Sequence, residues 1–158
     1  HFGIAPDIMT LAKALAGGAP IGAMLTRAEI AEAFSPGTHG STFGGNPLMT
    51  TAALAAMKTL LGDGILEHAV KMGAYLTGEL KKLQNRHPII EEVRGIGLMI
   101  GMGLTIPGGD IVKKGHERGL LLNVTHDTVL RFVPPLVVTK AEIDEMISIL
   151  DGILSDMA

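Results

Sequence analysis

The chain has 158 residues, 47% of them hydrophobic and 18% charged, with no cysteine; this is enough apolar material for a core and too little charge for disorder. A net charge of -3 leaves no basic surface for nucleic acid, and the cations are scattered or sit beside acids, as in Glu79-Leu80-Lys81-Lys82. Every apolar run stops short of the roughly 18 residues of a membrane span, and the lack of cysteine removes disulfides, thiolate chemistry and cysteine metal sites, so a soluble cytoplasmic protein is expected.

The opening residues, His1-Phe2-Gly3-Ile4-Ala5-Pro6-Asp7, carry neither an initiator methionine nor a basic-then-apolar signal, and read as a cut inside a longer protein. Next comes Lys13, set among Leu11, Ala12, Ala14 and Leu15 and followed by Gly17-Gly18-Ala19-Pro20-Ile21-Gly22. An amine desolvated by such neighbours has its charged form disfavoured and becomes a nucleophile for a carbonyl. A lysine laying its stem over apolar surface at a helix edge would have the same neighbours.

Residues 21–26 read as a short buried strand and 27–34 as a brief helix capped by Thr26. The segment from Thr38 to Pro47 is too rich in Gly, Ser, Thr and Asn to be anything but a loop, and loops of this kind often carry function. Asn46 and Pro47 then cap and open a helix running to about Leu61, whose apolar first half implies burial between other elements. Gly62-Asp63-Gly64 ends it and joins two structural parts.

An amphipathic helix follows over 65–86, with Leu66, Ala69, Val70, Gly73, Leu76, Leu80 and Leu83 at three- and four-residue spacing. Strands are expected over 89–94, 98–104, 120–124 and 129–132, and a short helix over 109–118. A closing helix over 139–157 begins with the capping box Thr139-Lys140-Ala141-Glu142. From residue 65 onward the order of elements describes an α+β or α/β unit.

Three motifs stand out. Lys13 with its glycines is the first, His39-Gly40-Ser41-Thr42-Phe43-Gly44-Gly45-Asn46-Pro47 the second and Leu130-Arg131-Phe132-Val133-Pro134-Pro135-Leu136 the third, with Val93-Arg94-Gly95-Ile96-Gly97-Leu98 between them. On the residues alone, the second is either a phosphate site or a helix-capping loop. Arg131 offers either a fork for a carboxylate or a structural salt bridge. In this order and spacing the motifs resemble the class III pyridoxal-phosphate aminotransferases of fold type I, and within them the acetylornithine aminotransferase branch.

The resemblance implies an α/β fold in which residues 1–61 complete a large cofactor-binding domain and 62–158 form a small α+β domain. It implies pyridoxal 5'-phosphate as cofactor, with Lys13 as the Schiff-base anchor and afterwards the general acid and base. Ser41 and Thr42 would reach the cofactor phosphate bound in the neighbouring subunit of a homodimer. Arg131 would grip the α-carboxylate of glutamate or 2-oxoglutarate. The implied reaction moves the amino group of N-acetylornithine to 2-oxoglutarate in arginine biosynthesis, with ornithine or succinylornithine as alternative donors. Arg94 is expected to be structural, the histidines show no metal-ligand spacing, and His39 lies near the cofactor loop at most. In that family the aspartate on the ring nitrogen, the aromatic stacked on the ring, the phosphate turn, the gating glutamate and the distal arginine all precede the lysine motif and have no counterpart in this chain. The chain by itself is therefore expected to have little or no transaminase activity, and a non-catalytic folded fragment is the competing expectation.

Overall fold

A computed structural model describes residues 2–157 and divides the chain into two compact units, the first ending at Asp63 and the second beginning at Gly64. Among the described residues no helix is long and apolar enough to cross a membrane.

The first unit opens with an antiparallel pair, β1 (Ile8–Leu11) and β2 (Ala23–Thr26), in the register Ile8 to Thr26 and Leu11 to Ala23. No strand is expected at β1 from the sequence, because its four residues do not alternate. Pairing with β2 is what makes it one. A 3-10 turn, Lys13–Ala16, lies between the two strands. The helix α1 (Ala28–Ala31) is shorter than expected and has Arg27, not Thr26, at its N-cap. The Thr26 hydroxyl instead donates to the Asp7 carbonyl at 2.9 Å, across the foot of the hairpin, so it is not available to the helix. Arg27 and Asp7 add an ion pair at 3.2 Å.

The helix α2 (Pro47–Gly62) is capped as expected: the Asn46 side chain accepts from the Leu48 and Met49 N–H groups at 2.9 and 3.4 Å. Its inner surface rests on the 3-10 turn. The burial expected of its apolar face is not found within this unit. None of its residues is buried, and Ala16 is the only buried residue among the described residues 2–63. Two four-residue strands and a turn are too small to cover a sixteen-residue helix.

The second unit has a full core. The helix α3 (Ile65–Arg86) buries Met72, Leu76, Leu80 and Leu83 at the expected spacing. It lies on the four-stranded sheet β3 (Ile90–Ile96), β4 (Met99–Leu104), β5 (Asn123–Thr125) and β6 (Val129–Phe132), ordered β3-β4-β6-β5. All its pairings are antiparallel, so of the two expected arrangements the α+β one is adopted. The helix α4 (Gly109–Glu117) connects β4 to β5, and α5 (Lys140–Ser155) closes the unit with both halves of its capping box formed. Strand alternation sorts the side chains. Ile100, Met102, Leu130 and Phe132 are buried in one cluster with the leucines of α3 and with Ile143 and Leu150 of α5. The residue between the last pair of strand positions, Arg131, is exposed, as the period of two requires. The strand expected over 120–124 forms later, at 123–125, because the tight turn through His126 and Asp127, both at positive φ, sets which residues face β6.

Candidate active site

Lys13 stands where β1 has ended and the 3-10 turn begins, and its backbone has φ of 56°, in the left-handed region. Side-chain crowding makes that region cost about 1–2 kcal/mol for an L-residue other than glycine. Strain at a residue carrying the only amine of the motif is the kind of outlier that accompanies functional positions. Gly17 and Gly18 follow at φ of 63° and 110°, conformations open to glycine, and turn the chain back toward β2. The desolvation expected of Lys13 is not supplied by its neighbours here. Ala12 and Ala14 are exposed, Leu11 and Leu15 are half-buried, and Lys13 itself is exposed. The amine is therefore presented rather than enclosed by the first unit.

Ser41 and Thr42 lie in an exposed loop, residues 38–46, that leads into α2. Ser41 has one job already: its hydroxyl accepts from the Gly44 N–H at 2.9 Å and holds the turn. Asn46 occupies the Leu48 and Met49 donors at the start of α2. The helix N-terminus is thus largely self-satisfied, and the anion-binding capacity shifts to the loop before it. There the Thr42 hydroxyl has no hydrogen-bond partner among the described residues. Because α2 packs on the 3-10 turn, one small unit carries both the Lys13 turn and the helix that the Thr42 loop enters. His39, expected near this loop at most, sits edge-on to Phe34 with ring centroids 6.1 Å apart.

Arg131 belongs to the second unit, on β6. Of the five arginines in the chain, Arg27, Arg86, Arg94 and Arg118 are ion-paired with Asp7, Asp151, Glu92 and Asp156. No acid pairs with Arg131 among the described residues. The salt-bridge alternative left open by the sequence is therefore not what this fold forms. Arg131 is instead among the residues lining a cavity of about 530 Å³, with Asn123, Phe132, Val133, Pro134 and Glu142. Glu142 brings a carboxylate to the same cavity, but its Oε2 accepts from the Thr139 backbone N–H at 2.7 Å and from the Thr139 hydroxyl at 2.8 Å. Those two donors, the backbone N–H first, hold its carboxyl below the usual carboxylate range. The cap occupies this acid and leaves the guanidinium open to a ligand. The sequence reading gives Glu142 only a capping role and assigns Asn123 no site role; Asn123 becomes visible as a neighbour of Arg131 once the 126–127 turn fixes the register of β5 on β6.

Among the described residues no group of three or more His, Asp or Glu could hold a metal ion. The chain matches the family model for Aminotransferase class-III over residues 1–154.

It belongs to the class-III aminotransferases.

Among curated relatives this class-III chain is 50% identical over 160 residues to the acetylornithine aminotransferase of Methanocaldococcus jannaschii, covering 99% of the chain and 39% of that protein. It is 49% identical over 158 residues to the acetylornithine aminotransferase of Caldanaerobacter subterraneus, covering 99% of the chain and 40% of the relative. The chain thus spans about two fifths of the length of the relatives it matches. Among solved structures it resembles the acetylornithine aminotransferase from Elizabethkingia anophelis, with a TM-score of 0.89 at 34% identity over 97% of the chain and 42% of that one. The ornithine aminotransferase from Plasmodium yoelii gives a TM-score of 0.92 at 34% identity over 100% of the chain and 43% of that one.

Class-III aminotransferases use pyridoxal 5'-phosphate. The donor set fits such a cofactor: the first unit presents a primary amine at Lys13, open to attack a carbonyl, and an uncommitted hydroxyl at Thr42 suited to a phosphate oxygen.

Proposed function

We propose that the protein transfers the amino group of N-acetylornithine to 2-oxoglutarate, giving N-acetylglutamate 5-semialdehyde and glutamate. The unpaired Arg131, lining a cavity beside an acid held by its own helix cap, carries this reading, because a guanidinium without an acidic partner suits a ligand carboxylate. The identity of about half to relatives named acetylornithine aminotransferase supports the donor. The reaction belongs to the whole protein. This chain contributes the amine, the hydroxyl loop and the guanidinium, and residues 1–61 are assigned to the large domain and 62–158 to the small one.

When bound, pyridoxal phosphate supplies the electron sink that lets the bond from hydrogen to the amine-bearing carbon break heterolytically. Lys13 holds the cofactor in the resting enzyme. With pyridoxal phosphate bound, the Lys13 Nζ would serve as the base that takes the proton from the substrate carbon and later returns one. The first unit leaves this amine exposed, so the rest of the assembled site would supply its desolvation. Thr42 donates its hydroxyl to the phosphate, across a homodimer interface, with Ser41 fixing the turn. Arg131 binds the carboxylate of glutamate or 2-oxoglutarate with two parallel N–H bonds. A cytoplasmic location is part of the same proposal.

A second reading is favoured by the solved structures: several with TM-scores of 0.90 to 0.92 are ornithine aminotransferases. Turnover of N-acetylornithine, N-succinylornithine and ornithine by the whole protein separates the two. Preference for free ornithine overturns our choice of donor, and absence of transamination with all three overturns the enzyme reading.

A further inference from the structure

Asn123 and Arg131 are direct partners in the β5–β6 ladder, so their side chains leave the same face of the sheet. Directly opposed residues have Cβ atoms roughly 5 Å apart, close enough for an amide and a guanidinium to meet on one ligand group. Both residues are exposed, and both are among those lining the cavity of about 530 Å³. Gly101, the partner of Arg131 on the other side, adds no side chain to that row. Neither Asn123 nor Arg131 has a side-chain hydrogen bond or ion pair among the described residues. The neighbouring walls, Leu121, Val133 and Pro134, offer no competing side-chain donor.

A carboxylate has about four lone-pair sites, of which a bidentate arginine uses two. From this pairing we infer that Asn123 is a positioning and specificity residue: its side-chain N–H donates to the carboxylate gripped by Arg131 and fixes the rotation of that group about the guanidinium. A third donor from a fixed strand selects a planar carboxylate over a phosphate or a neutral amide. This inference rests on the transaminase reading for the identity of the ligand, which is the acceptor acid, while the binding geometry stands without it.

The test uses the whole protein with Asn123→Ala, Asn123→Asp, Asn123→Gln and Arg131→Ala. Steady-state KM is measured for both substrates, and the dissociation constant of glutarate by titration calorimetry. Loss of a hydrogen bond to a charged group predicts that Asn123→Ala raises the KM for 2-oxoglutarate about ten-fold, with the KM for the amino donor unchanged within two-fold. Asn123→Asp, which sets an anion beside Arg131, should be worse than alanine, and Asn123→Gln should recover part of the loss. A residue that merely supported β5 would shift both KM values together and would be indifferent to the charge of its replacement. Equal KM values in Asn123→Ala and the parent, with transamination intact, overturn the role of Asn123 and leave the enzyme reading standing. If no transamination is found, glutarate decides: weaker binding in Asn123→Ala and none in Arg131→Ala uphold the paired site, and unchanged binding in Asn123→Ala overturns it.

Discussion

A Cβ added to Gly73, in the middle of α3, would lie 2.2 Å from the carbonyl oxygen of Gly97 in the β3–β4 turn. The helix and the hairpin therefore meet backbone to backbone, and the atom in the way cannot rotate aside. Alanine is ordinarily favoured over glycine inside a helix by about 1 kcal/mol. At Gly73 the overpacking term, about 1–3 kcal/mol, is expected to prevail, so Gly73→Ala should destabilise the second unit. Gly78 on the same helix has nothing within 4 Å of such a Cβ, and Gly78→Ala should stabilise by up to about 1 kcal/mol. Tyr75 is the only tyrosine and the chain has no tryptophan, so tyrosine fluorescence during urea unfolding reads this unit alone. Equal effects of the two substitutions would contradict the close approach.

Asp151 on α5 joins the end of α3 to the core through two bonds of 2.6 Å, one to Nε2 of the buried His87 and one to the Arg86 guanidinium. The His87 hydrogen bond chiefly, with Arg86, holds the Asp151 carboxyl below its ordinary value of 3.8. A carboxyl depressed in the folded state contributes stability that is present above the unfolded value and is lost as the pH falls through the folded one. Stability should therefore decline as the pH falls below about 4, and Asp151→Asn should flatten that part of the acid limb. At pH 7 Asp151→Ala should cost about 1–3 kcal/mol, since it leaves the buried imidazole unpartnered. A parallel acid limb in parent and Asp151→Asn melts would show that this contact is not formed.

The Thr139 hydroxyl satisfies the Glu142 N–H at 3.3 Å, and the Glu142 carboxylate returns a bond to the Thr139 N–H. Thr139→Ala should lower stability by about 1 kcal/mol, and Thr139→Ser by much less. Thermal melts of the two variants provide the comparison. A serine variant as damaged as the alanine one would place the effect in the methyl group instead of the cap.

Lys13 sits in a conformation that glycine adopts freely. Lys13→Gly should leave the first unit about 1 kcal/mol more stable than Lys13→Ala, read by hydrogen exchange of the β1–β2 ladder amides. Pyridoxal phosphate added to the parent should give an imine absorbance near the visible edge, and both variants should lack it. An alanine variant as protected as the glycine one would mean that the left-handed backbone is relaxed in solution.

Signals between residues three or four apart were readable without the fold. The Asn46 cap, the leucine spacing of α3 and the Thr139 capping box are all satisfied inside one helix, so local chemistry alone specifies them. The order of Lys13, Ser41-Thr42 and Arg131 was likewise carried by the chain. Relations that depend on pairing were not. That residues 8–11 are a strand depends on β2, and the position of β5 depends on a turn that sets Asn123 opposite Arg131. The contact of Asp151 with His87 spans 64 positions. Long-range contacts of this kind arise from the geometry of packed layers, which no short window of sequence encodes. That Arg131 forms no salt bridge among the described residues was decided there, because tertiary packing chooses which charges meet.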